Sequence, residues 1–503
     1  MKNLANHRIL VLGLGASGLA LARWCARCGA DVTVADTRPA PPQLAALQAS
    51  VPKARFVHAP MDAALFDLQP FDRLLKSPGL SPASIRGVVQ AAQAQGIASG
   101  NELSLFAEAL ADLQADTAYS PQVIGITGTN GKTTVTSLTG LLVERAGRSV
   151  AVAGNIGPTL LGTLAEKLDA QAIDPSAALP DVWVLELSSF QLEGVTNFEP
   201  SVATVLNITQ DHLDWHESLP AYMAAKQQVY GRSGLMLLNR DDPLAMTALP
   251  GLVKGKARRN YRTFGTDEPR RPGDYGIETV NGMAWLVRAA QVDDHPKGRR
   301  AEPLALHIQR LMPLDALRIR GRHNAANALA ALALASGAGC PLAPMLHGLR
   351  DYRGEPHRLE SVAVLDGVEY FDDSKGTNVG ATAAALNGLG SERRLVLILG
   401  GDGKGQNFTP LAGPVARHVR AVVLIGRDAP LIKAALQGTG AALLEADSMR
   451  QAVDLAAAQA QPGDAVVMSP ACASFDMFED YEHRARVFCD AVRGLAAAQG
   501  AVL

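Results

Sequence analysis

The sequence is poor in aromatic residues and has no excess of one charge. Aromatic residues make up 5% of the 503 residues, charged residues 19%, and the formal net charge is −2. This balance, without a Lys/Arg stripe, argues against nucleic acid or an anionic membrane as a partner. No apolar run reaches about 18 residues, so no transmembrane helix is expected. The apolar stretch near the N-terminus is broken by glycines and does not resemble a signal peptide. We therefore expect a cytoplasmic protein.

Cysteine is also scarce. Five cysteines are present, and this odd number argues against a disulfide framework. Cys25 and Cys28 have the spacing of a thioredoxin-type redox pair, which needs its first thiol at the start of a helix. These two cysteines lie well inside a helix predicted over 16–28. We therefore interpret them as packed or partly exposed thiols.

The chain is long enough for about three domains of ordinary size. Predicted strands at 8–12 and 31–36 flank the helix over 16–28, which is the βαβ pattern of a parallel sheet. Residues 111–121 lack strand signals and resemble a linker. The predicted fold class is α/β with three domains: a Rossmann-like domain (1–118), a central domain with a P-loop ATPase-type parallel sheet (119–354) and a C-terminal Rossmann-like domain (355–503). Segment 266–303, around a hairpin-like Asn281-Gly282, resembles an excursion from the central sheet.

A glycine-rich loop follows the first predicted strand of the central domain. Residues 125–134 read Gly-Ile-Thr-Gly-Thr-Asn-Gly-Lys-Thr-Thr. Backbone N–H groups of such a loop point at phosphate oxygens, its lysine reaches the β/γ-phosphates, and the next hydroxyl ligates Mg²⁺. The predicted helix that follows adds its positive N-terminal dipole. The first glycine of the standard motif is displaced by one position, because Ile126 occupies its place.

Polar residues end the other predicted strands of the central domain. Asn155 follows 150–154, Glu186 ends 182–186, and Asn207 with Asp211-His212 follows 202–206. Ligands of open parallel sheets bind beyond the carboxyl ends of the strands. Together with Lys132, these residues predict a nucleotide and metal site at one edge of the sheet.

Each of these residues also has an ordinary structural interpretation. A strand-end carboxylate such as Glu186 commonly caps the next helix. The segment Asp211–His216 could suggest a transition-metal site, but it lacks the spacing that makes such a signal strong. On composition alone, Lys226 is a solvated helix lysine.

The first domain contains a second glycine turn. Gly13-Leu-Gly-Ala-Ser-Gly18 follows a strand, and Asp36 ends the next strand, which is the complete dinucleotide-binding fingerprint. Alone it would favour an NAD-dependent oxidoreductase, although the same geometry can hold the diphosphate of another nucleotide. That hypothesis gives residues 125–134 no role, whereas a P-loop regulatory switch explains that loop and not the first domain.

An ordered series of segments resembles the Mur ligase family over essentially the whole chain. The segments begin at Gly128, Gly154, Glu186, Asp211 and Gly321 and continue at Pro356, Asp373, Gly400 and Ser469. The family's own loop lacks the first Walker glycine. The resemblance implies ATP-dependent amide formation through an acyl phosphate, with two Mg²⁺ ions. Asp373-Ser-Lys-Gly-Thr-Asn and Ser469-Pro-Ala-Cys-Ala-Ser favour D-glutamate as the amino acid added to UDP-N-acetylmuramoyl-L-alanine, with another amino acid as the alternative.

The resemblance also implies roles for individual residues. The implied catalytic residues are Lys132, Glu186, His212 and Lys226. The implied metal ligands are Thr133, Glu186, His212 and Lys226, the last as a carbamate formed with CO₂. The implied ATP contacts are Gly128, Thr129, Asn130, Gly131, Lys132, Thr133, Thr134, Asn327, Arg358 and Asp373.

The substrate contacts lie mainly in the first and third domains. For the UDP substrate the resemblance implies Leu14, Gly15, Ala16, Ser17, Asp36, Thr37, Arg38, Ser77, Gly79 and, from the central domain, Asn155. The resemblance also implies a region that closes over the phosphates and D-glutamate, formed by Lys375, Thr377, Lys404, Ser474 and Tyr481. Tyr481 departs from the family pattern, which has phenylalanine there. We expect small-molecule substrates and a monomer.

Overall fold

The computed structural model describes residues 4–251, 258–291, 306–391 and 393–499. Within these residues the chain forms three sheets, and each sheet takes its strands from one continuous part of the chain. Helices cover the sheets, so the predicted three-domain α/β class is confirmed. No helix within the described ranges is both long and apolar enough to cross a membrane.

The first region holds a five-stranded parallel sheet in the order β3-β2-β1-β4-β5. Its strand β1 places four consecutive apolar residues in the interior, as expected for a sheet covered on both faces. Its elements are β1 (Arg8–Leu12), α1 (Ala16–Arg27), β2 (Asp31–Asp36), α2 (Leu44–Ser50), β3 (Arg55–His58), β4 (Arg73–Lys76), α3 (Arg86–Ala94), β5 (Ala98–Asn101) and α4 (Glu102–Thr117).

The predicted helix over 16–28 is confirmed to within one residue, and the two cysteines on it are not a redox pair. Both thiols are free, Cys25 is buried and Cys28 half-buried. Burial raises the pKa of Cys25 to about 12 and also raises the pKa of Cys28. Such thiols are inert packing groups.

The predicted linker over 111–121 is wrong for most of its length. Helix α4 continues to Thr117, and Leu113 on it is buried. The ring of Phe106 on the same helix meets Trp183 of the central sheet edge-on at 5.1 Å. Because α4 packs against the central region, the helix is stabilised by residues that are distant from it in the sequence. The first and central regions therefore share one hydrophobic core.

The central region holds a nine-stranded sheet in the order β14-β13-β12-β11-β10-β9-β6-β8-β7. Its strands are β6 (Gln122–Thr127), β7 (Val150–Gly154), β8 (Val182–Glu186), β9 (Val202–Val205), β10 (Leu235–Asn239), β11 (Tyr261–Phe264), β12 (Tyr275–Val280), β13 (Met283–Gln291) and β14 (Leu306–Pro313). Its helices are α5 (Lys132–Arg145), α6 (Leu160–Ile173), α7 (Ser189–Leu192), α8 (Leu213–His216), α9 (Leu219–Gln227), α10 (Pro243–Met246), α11 (Arg322–Gly337) and α12 (Leu342–Asp351).

The predicted excursion is an extension of this sheet. Strands β12 and β13 pair antiparallel around Asn281 and Gly282, which both have positive φ, the geometry of a tight hairpin turn. Strand β14 adds a further antiparallel neighbour, so the central sheet is not parallel throughout. The part of the predicted excursion at 292–303 lies outside the described residues.

The third region holds a six-stranded sheet in the order β15-β16-β20-β17-β18-β19, with β15 antiparallel to β16. Its elements are β15 (Glu360–Leu365), β16 (Val368–Asp372), α13 (Val379–Leu389), β17 (Leu395–Gly400), α14 (Ala412–His418), β18 (Val419–Ile425), α15 (Ala429–Leu436), β19 (Ala442–Glu445), α16 (Met449–Gln459), β20 (Ala465–Met468) and α17 (Tyr481–Ala498). The carboxyl end of β16 faces the glycine-rich loop of the central region, because Asn378 just beyond it hydrogen-bonds to that loop.

Candidate active site

The glycine-rich loop joins β6 to α5 as the sequence predicts. Gly131 has φ +82° and forms the N-cap of α5, so a side chain at this position would be strained. Asn207, at the end of β9, holds the loop from beneath: its side chain accepts a hydrogen bond from the backbone N–H of Asn130 at 2.8 Å and donates one to the Asn130 carbonyl at 3.0 Å. The loop is therefore fixed in a single shape.

Two lysines meet at one carbonyl of this loop. Lys132 Nζ donates to the Gly128 carbonyl at 2.9 Å, and Lys226 Nζ donates to the same oxygen at 2.8 Å. Lys226 is 1% exposed, so the interpretation as a solvated helix lysine is wrong. Burial lowers the pKa of Lys226 far below its usual value, and the charge of Lys132 lowers it further. Burial also lowers the pKa of Lys132.

Glu186 lies opposite these lysines at the end of β8. The register pairs it with Ile126 on β6 and with Gly154 on β7. One carboxylate oxygen accepts a hydrogen bond from the Asn155 amide at 2.9 Å, while the other is buried without a partner. The interpretation of Glu186 as a helix cap is wrong, because Ser188 caps the next helix. An unpaired buried carboxylate oxygen is costly unless a cation occupies the site.

His212 stands at the rim of the site on strained backbone, with φ +53°. Its side chain is 43% exposed, and its ring lies 4.8 Å from the ring of Phe190. Partial burial lowers the pKa of His212, Asp211 opposes this shift, and nearby lysines reinforce it. The neutral imidazole that this favours is the form that binds metal ions.

The transition-metal interpretation of Asp211–His216 does not hold for the described side chains. His216 is buried and hydrogen-bonds to Ser189 Oγ at 2.9 Å, among aromatic rings. Among the described residues, a group of three His and carboxylate donor atoms within 4.8 Å of one another occurs at a different place, His357, Glu360 and Asp372.

Residues of the third region reach across to the loop. Arg358 Nη2 donates to the Thr133 hydroxyl at 2.8 Å. The Asn378 amide donates to the Asn130 side chain at 3.1 Å and to Asp211 at 3.4 Å. The cleft between the two regions is lined from the central side by Asn130, Gly131, Thr134 and Asn327, and from the third region by Arg358, Asp373 and Lys375.

Two of these side chains have displaced pKa values. Burial raises the pKa of Asp373 to about 7, although Ser469 Oγ donates to its carboxylate at 2.6 Å. Burial lowers the pKa of Lys375 to about 8, and the charge of Arg358 contributes. Lys375 Nζ lies 3.5 Å from the centre of the Tyr481 ring. The Tyr481 hydroxyl, which distinguishes this chain from the family pattern, donates to Glu482 at 2.9 Å.

The remaining residues expected near the phosphates and the amino acid have varied surroundings. The Thr377 N–H bonds to the Lys375 carbonyl at 2.9 Å, so these two side chains belong to one tight turn. Lys404 is exposed and has φ +48°, and its backbone N–H donates a hydrogen bond to Asp402 Oδ1 at 2.9 Å. Ser474 is buried, and its carbonyl accepts from Met477 and Phe478.

The glycine turn of the first region forms a separate site. Asp36 accepts hydrogen bonds from the Leu14 N–H at 2.7 Å and from Arg38, whose Nε and Nη2 lie 2.9 and 2.8 Å away. These bonds hold the pKa of Asp36 at about 2, against the opposing effect of burial. In a dinucleotide oxidoreductase this carboxylate would hold the cofactor ribose, whereas here it is paired with Arg38.

The rest of this turn combines tight and open positions. Ser77 Oγ donates to the Gly13 carbonyl at 2.8 Å, which ties the end of β4 to the turn. An added Cβ at Gly18 would lie 2.0 Å from that carbonyl, whereas one at Gly15 or Gly79 would meet nothing within 4 Å. The backbone is therefore accessible on the outer side. Of the other expected contacts, Ala16 and Ser17 are the first two residues of α1, and Thr37 directly follows the last residue of β2.

Sequence reasoning missed two residues that shape the site. Asn378 was recognised only as part of a motif, yet it links the third region to the loop. Tyr222 lies beneath Lys226, with Nζ 4.6 Å from its ring centre, and its hydroxyl is 3.0 Å from Thr129 Oγ1. The spacing of Tyr222 and Lys226, four positions apart on one helix, was the available signal.

Comparison with known proteins agrees with this architecture in all three regions. Residues 7–99 match the Mur ligase MurD-like N-terminal domain, 126–335 the Mur ligase middle domain, and 357–472 the Mur ligase glutamate ligase domain. The chain therefore belongs to the Mur ligase family.

Curated relatives of high identity carry a more specific name. The UDP-N-acetylmuramoylalanine--D-glutamate ligase of Albidiferax ferrireducens is 64% identical over 100% of this chain and 99% of its own length. The protein of the same name from Paraburkholderia xenovorans is 56% identical over 98% and 97%.

Solved structures of low identity share the fold. The MurF ligase of Thermotoga maritima, solved in complex with ADP, has a TM-score of 0.56 and 15% identity and covers 99% of this chain and 100% of its own. The UDP-N-acetylmuramate-alanine ligase MurC from the same organism has a TM-score of 0.54 and 18% identity and covers 97% and 100%.

Proposed function

We propose that this protein is an ATP-dependent ligase that joins D-glutamate to UDP-N-acetylmuramoyl-L-alanine in the synthesis of peptidoglycan precursors. A substrate carboxylate oxygen attacks the γ-phosphorus of ATP, which gives an acyl phosphate and ADP. The amine of D-glutamate then attacks the acyl carbon, phosphate leaves, and the nitrogen loses its proton as the amide forms. The names of the full-length relatives support this substrate pair.

One observation carries the proposal: the convergence of Lys132, Lys226 and Glu186 at the glycine loop. Both steps of the reaction gather negative charge on phosphate oxygens, and fixed cations in a water-poor site stabilise such charge most strongly. Lys132 and the N-terminus of α5 supply positive charge at the phosphates. A regulatory switch would not need a second buried lysine beside the first.

Lys226 has the environment that carbamate formation requires. A neutral amine nitrogen attacks CO₂, forms an N–C bond and releases a proton, so a lysine with a strongly lowered pKa reacts readily. The product is an anion, which removes the repulsion between Lys226 and Lys132. We therefore assign the carbamate to this side chain.

The donors around the loop also fit two Mg²⁺ ions. Mg²⁺ prefers oxygen ligands, and the buried oxygen of Glu186 has no protein partner. We assign Thr133, Glu186, His212 and the Lys226 carbamate as the residues that would hold these ions. When bound, Mg²⁺ neutralises phosphate charge and polarises the transferring group.

The remaining expected contacts stay assignments by position. We place the phosphates on Gly128–Thr134 and the adenosine side at Asn327, Arg358 and Asp373. We place the UDP portion at 14–17, 36–38, Ser77 and Gly79, with the muramoyl side at Asn155. We place D-glutamate and the closure over the phosphates at Lys375, Thr377, Lys404, Ser474 and Tyr481.

We assign the domain boundaries to 1–118, 119–354 and 355–503, since each span contains one complete sheet. In this arrangement the third domain covers the nucleotide held by the second. We further propose that the protein is cytoplasmic, because its substrates are small and water-soluble, and that it is monomeric, because every residue assigned to the site comes from one chain.

Phosphate release from ATP tests the proposed function directly. Purified protein should release phosphate only when UDP-N-acetylmuramoyl-L-alanine and D-glutamate are both present, with ATP and Mg²⁺. L-glutamate serves as the matched control, because it differs only in configuration. Equal release with L-glutamate, or release without the UDP substrate, would contradict the proposal.

A further inference from the structure

A large cavity lies away from the glycine-rich loop, between the first and central regions. It has a volume of about 760 Å³, within the range of small-molecule sites. Its walls come from β4, α3 and β5 on one side and from the segment 193–197 that follows α7 on the other. Neither the proposed ATP contacts nor the proposed UDP contacts line it.

The chemistry of the walls is amphipathic. Ile85, Val89 and Ile97 give an apolar face, while three basic and two acidic side chains stand around it. Three of these five charges are already held in ion pairs. Arg73 is held in a two-pronged pair with Glu108 at 2.7 and 2.5 Å, and Arg86 is paired with Glu217 outside the cavity at 3.4 Å.

Lys76 is the cation that remains. It lies half-buried at the end of β4, and among the described residues no hydrogen bond or ion pair reaches its Nζ. Glu193 is its acidic neighbour but forms no direct pair. Burial lowers the pKa of Lys76 while Glu193 opposes this shift, so the ammonium is incompletely compensated. A partly desolvated ammonium without a partner is unfavourable unless an anion meets it.

Two residues of the cavity wall also have polar atoms that are buried behind its surface. Arg73 Nε and Asn197 Oδ1 are buried without hydrogen-bond partners, although Asn197 Nδ2 donates to the Ser104 carbonyl at 2.9 Å. Most buried polar groups in proteins are satisfied. Because these two atoms have almost no accessible surface, Lys76 is the lining group that we expect to meet an anionic ligand.

We propose that this cavity binds an amphipathic monocarboxylate, with its anionic group on Lys76 and its apolar body against Ile85, Val89 and Ile97. Among the described lining residues, Lys76 is the cation that is not held in an ion pair, which suits a ligand with a single negative charge. The ligand would bridge the first and central regions beside Ser77.

Calorimetric titration with 5-phenylpentanoate tests the site, with 5-phenylpentanamide as the uncharged probe of the same shape. The carboxylate should bind the full-length protein with one site, and the amide at least about tenfold more weakly. Lys76→Met keeps the apolar stem and should weaken carboxylate binding by a similar factor. Lys167→Met, at an exposed position on α6, is the control and should change nothing.

A second variant locates the probe independently of its charge. Val89→Trp fills the cavity from the half-buried face of α3 and should abolish binding while the melting temperature stays near that of the unmodified protein. The proposal is wrong if the carboxylate does not bind at about 1 mM, if the amide binds equally well, or if Lys76→Met or Val89→Trp leaves binding intact. Competitive displacement by UDP-N-acetylmuramoyl-L-alanine would also overturn it, because the probe would then occupy the substrate cleft. These readouts are independent of ligase activity.

Discussion

The two glycine turns of this protein have the same local plan and different electrostatics. Each follows a buried parallel strand and begins a helix, α1 in the first region and α5 in the central region. In the first turn the nearby carboxylate, Asp36, is saturated by Leu14 and Arg38. In the central turn, two buried lysines share one carbonyl and Glu186 keeps an unpaired oxygen.

This difference separates a site that holds a ligand from a site that performs chemistry. The hydrogen bonds that Asp36 accepts stabilise its charged form in the folded chain. They therefore lower its pKa and contribute to the free energy of unfolding. Displaced lysine pKa values and an orphaned carboxylate cost folding energy and are typical of active sites. The same backbone motif therefore serves two functions according to the side chains that surround it.

The largest expected effect is on the central turn. Lys226→Ala should lower kcat by about 10³-fold, because it removes the group assigned to the carbamate. Short carboxylic acids should restore part of the activity by occupying the same place. Lys167→Ala, on the exposed face of α6, is the matched control. Full activity of Lys226→Ala would show that Lys226 has no role in the chemistry of the central turn.

Stability should respond with opposite signs at the two sites. Asp36→Asn should lower the free energy of unfolding by about 2 kcal/mol at pH 7, given a folded pKa of about 2 against an ordinary 3.8. The full difference in the free energy of unfolding should be seen at pH values above the ordinary pKa of 3.8. It should disappear as the pH falls through about 2. Lys226→Met should be neutral or stabilising, because it removes a buried amine with a lowered pKa. Urea unfolding between pH 2 and pH 8 measures both, and a destabilised Lys226→Met would contradict the expectation.

A smaller kinetic effect is expected in the first turn. Arg38→Ala should raise KM for the UDP substrate about tenfold and leave kcat nearly unchanged, because a residue that only binds contributes equally to ground and transition states. Arg23→Ala, on the exposed side of α1, is the control. A fall in kcat without a change in KM would show that the first turn takes part in chemistry.

The smallest effect should come from the open glycine of the first turn. A Cβ at Gly15 meets nothing within 4 Å, so Gly15→Ala should cost only the N-cap preference for glycine over alanine, about 0.5–1 kcal/mol. At the equivalent N-cap of α5, Gly131 has φ +82° and its Cβ would lie 2.8 Å from Asn327 Oδ1. Gly131→Ala should therefore cost more, about 1–2 kcal/mol. Equal unfolding free energies for the two variants would show that the turns are alike.

Much of the fold was predictable because buried parallel strands are recognisable as apolar runs. The strands ending at Asp36, Gly154 and Glu186 begin and end where their sequences indicate. The linker over 111–121 was predicted wrongly because α4 is stabilised by contacts such as Phe106 with Trp183, which no local pattern contains. The hairpin turn at Asn281-Gly282 between β12 and β13 was predicted, whereas β14, which pairs with β13 from beyond residue 305, was missed.

The candidate site shows the same division. Lys132, Glu186 and Asn155 were predicted together, because strand ends of one parallel sheet meet at one edge. The burial of Lys226 was not predictable from its own helix, since Tyr222 and the Gly128 carbonyl surround it only in the folded chain. The contact of Arg358 with Thr133 joins residues far apart in the sequence.

By itself, the sequence determined the two glycine turns, the α/β class and the polar strand ends, because these follow from local geometry and from the period of the hydrophobic pattern. Only the tertiary structure decided the charge state of the groups at each turn. A pKa depends on burial and on neighbours within a few ångströms, and the groups around Lys226 (Lys132, Glu186 and Asp211) meet only in the folded chain. This difference leaves Asp36 an ion-paired carboxylate with a low pKa and Lys226 a buried amine with a lowered pKa.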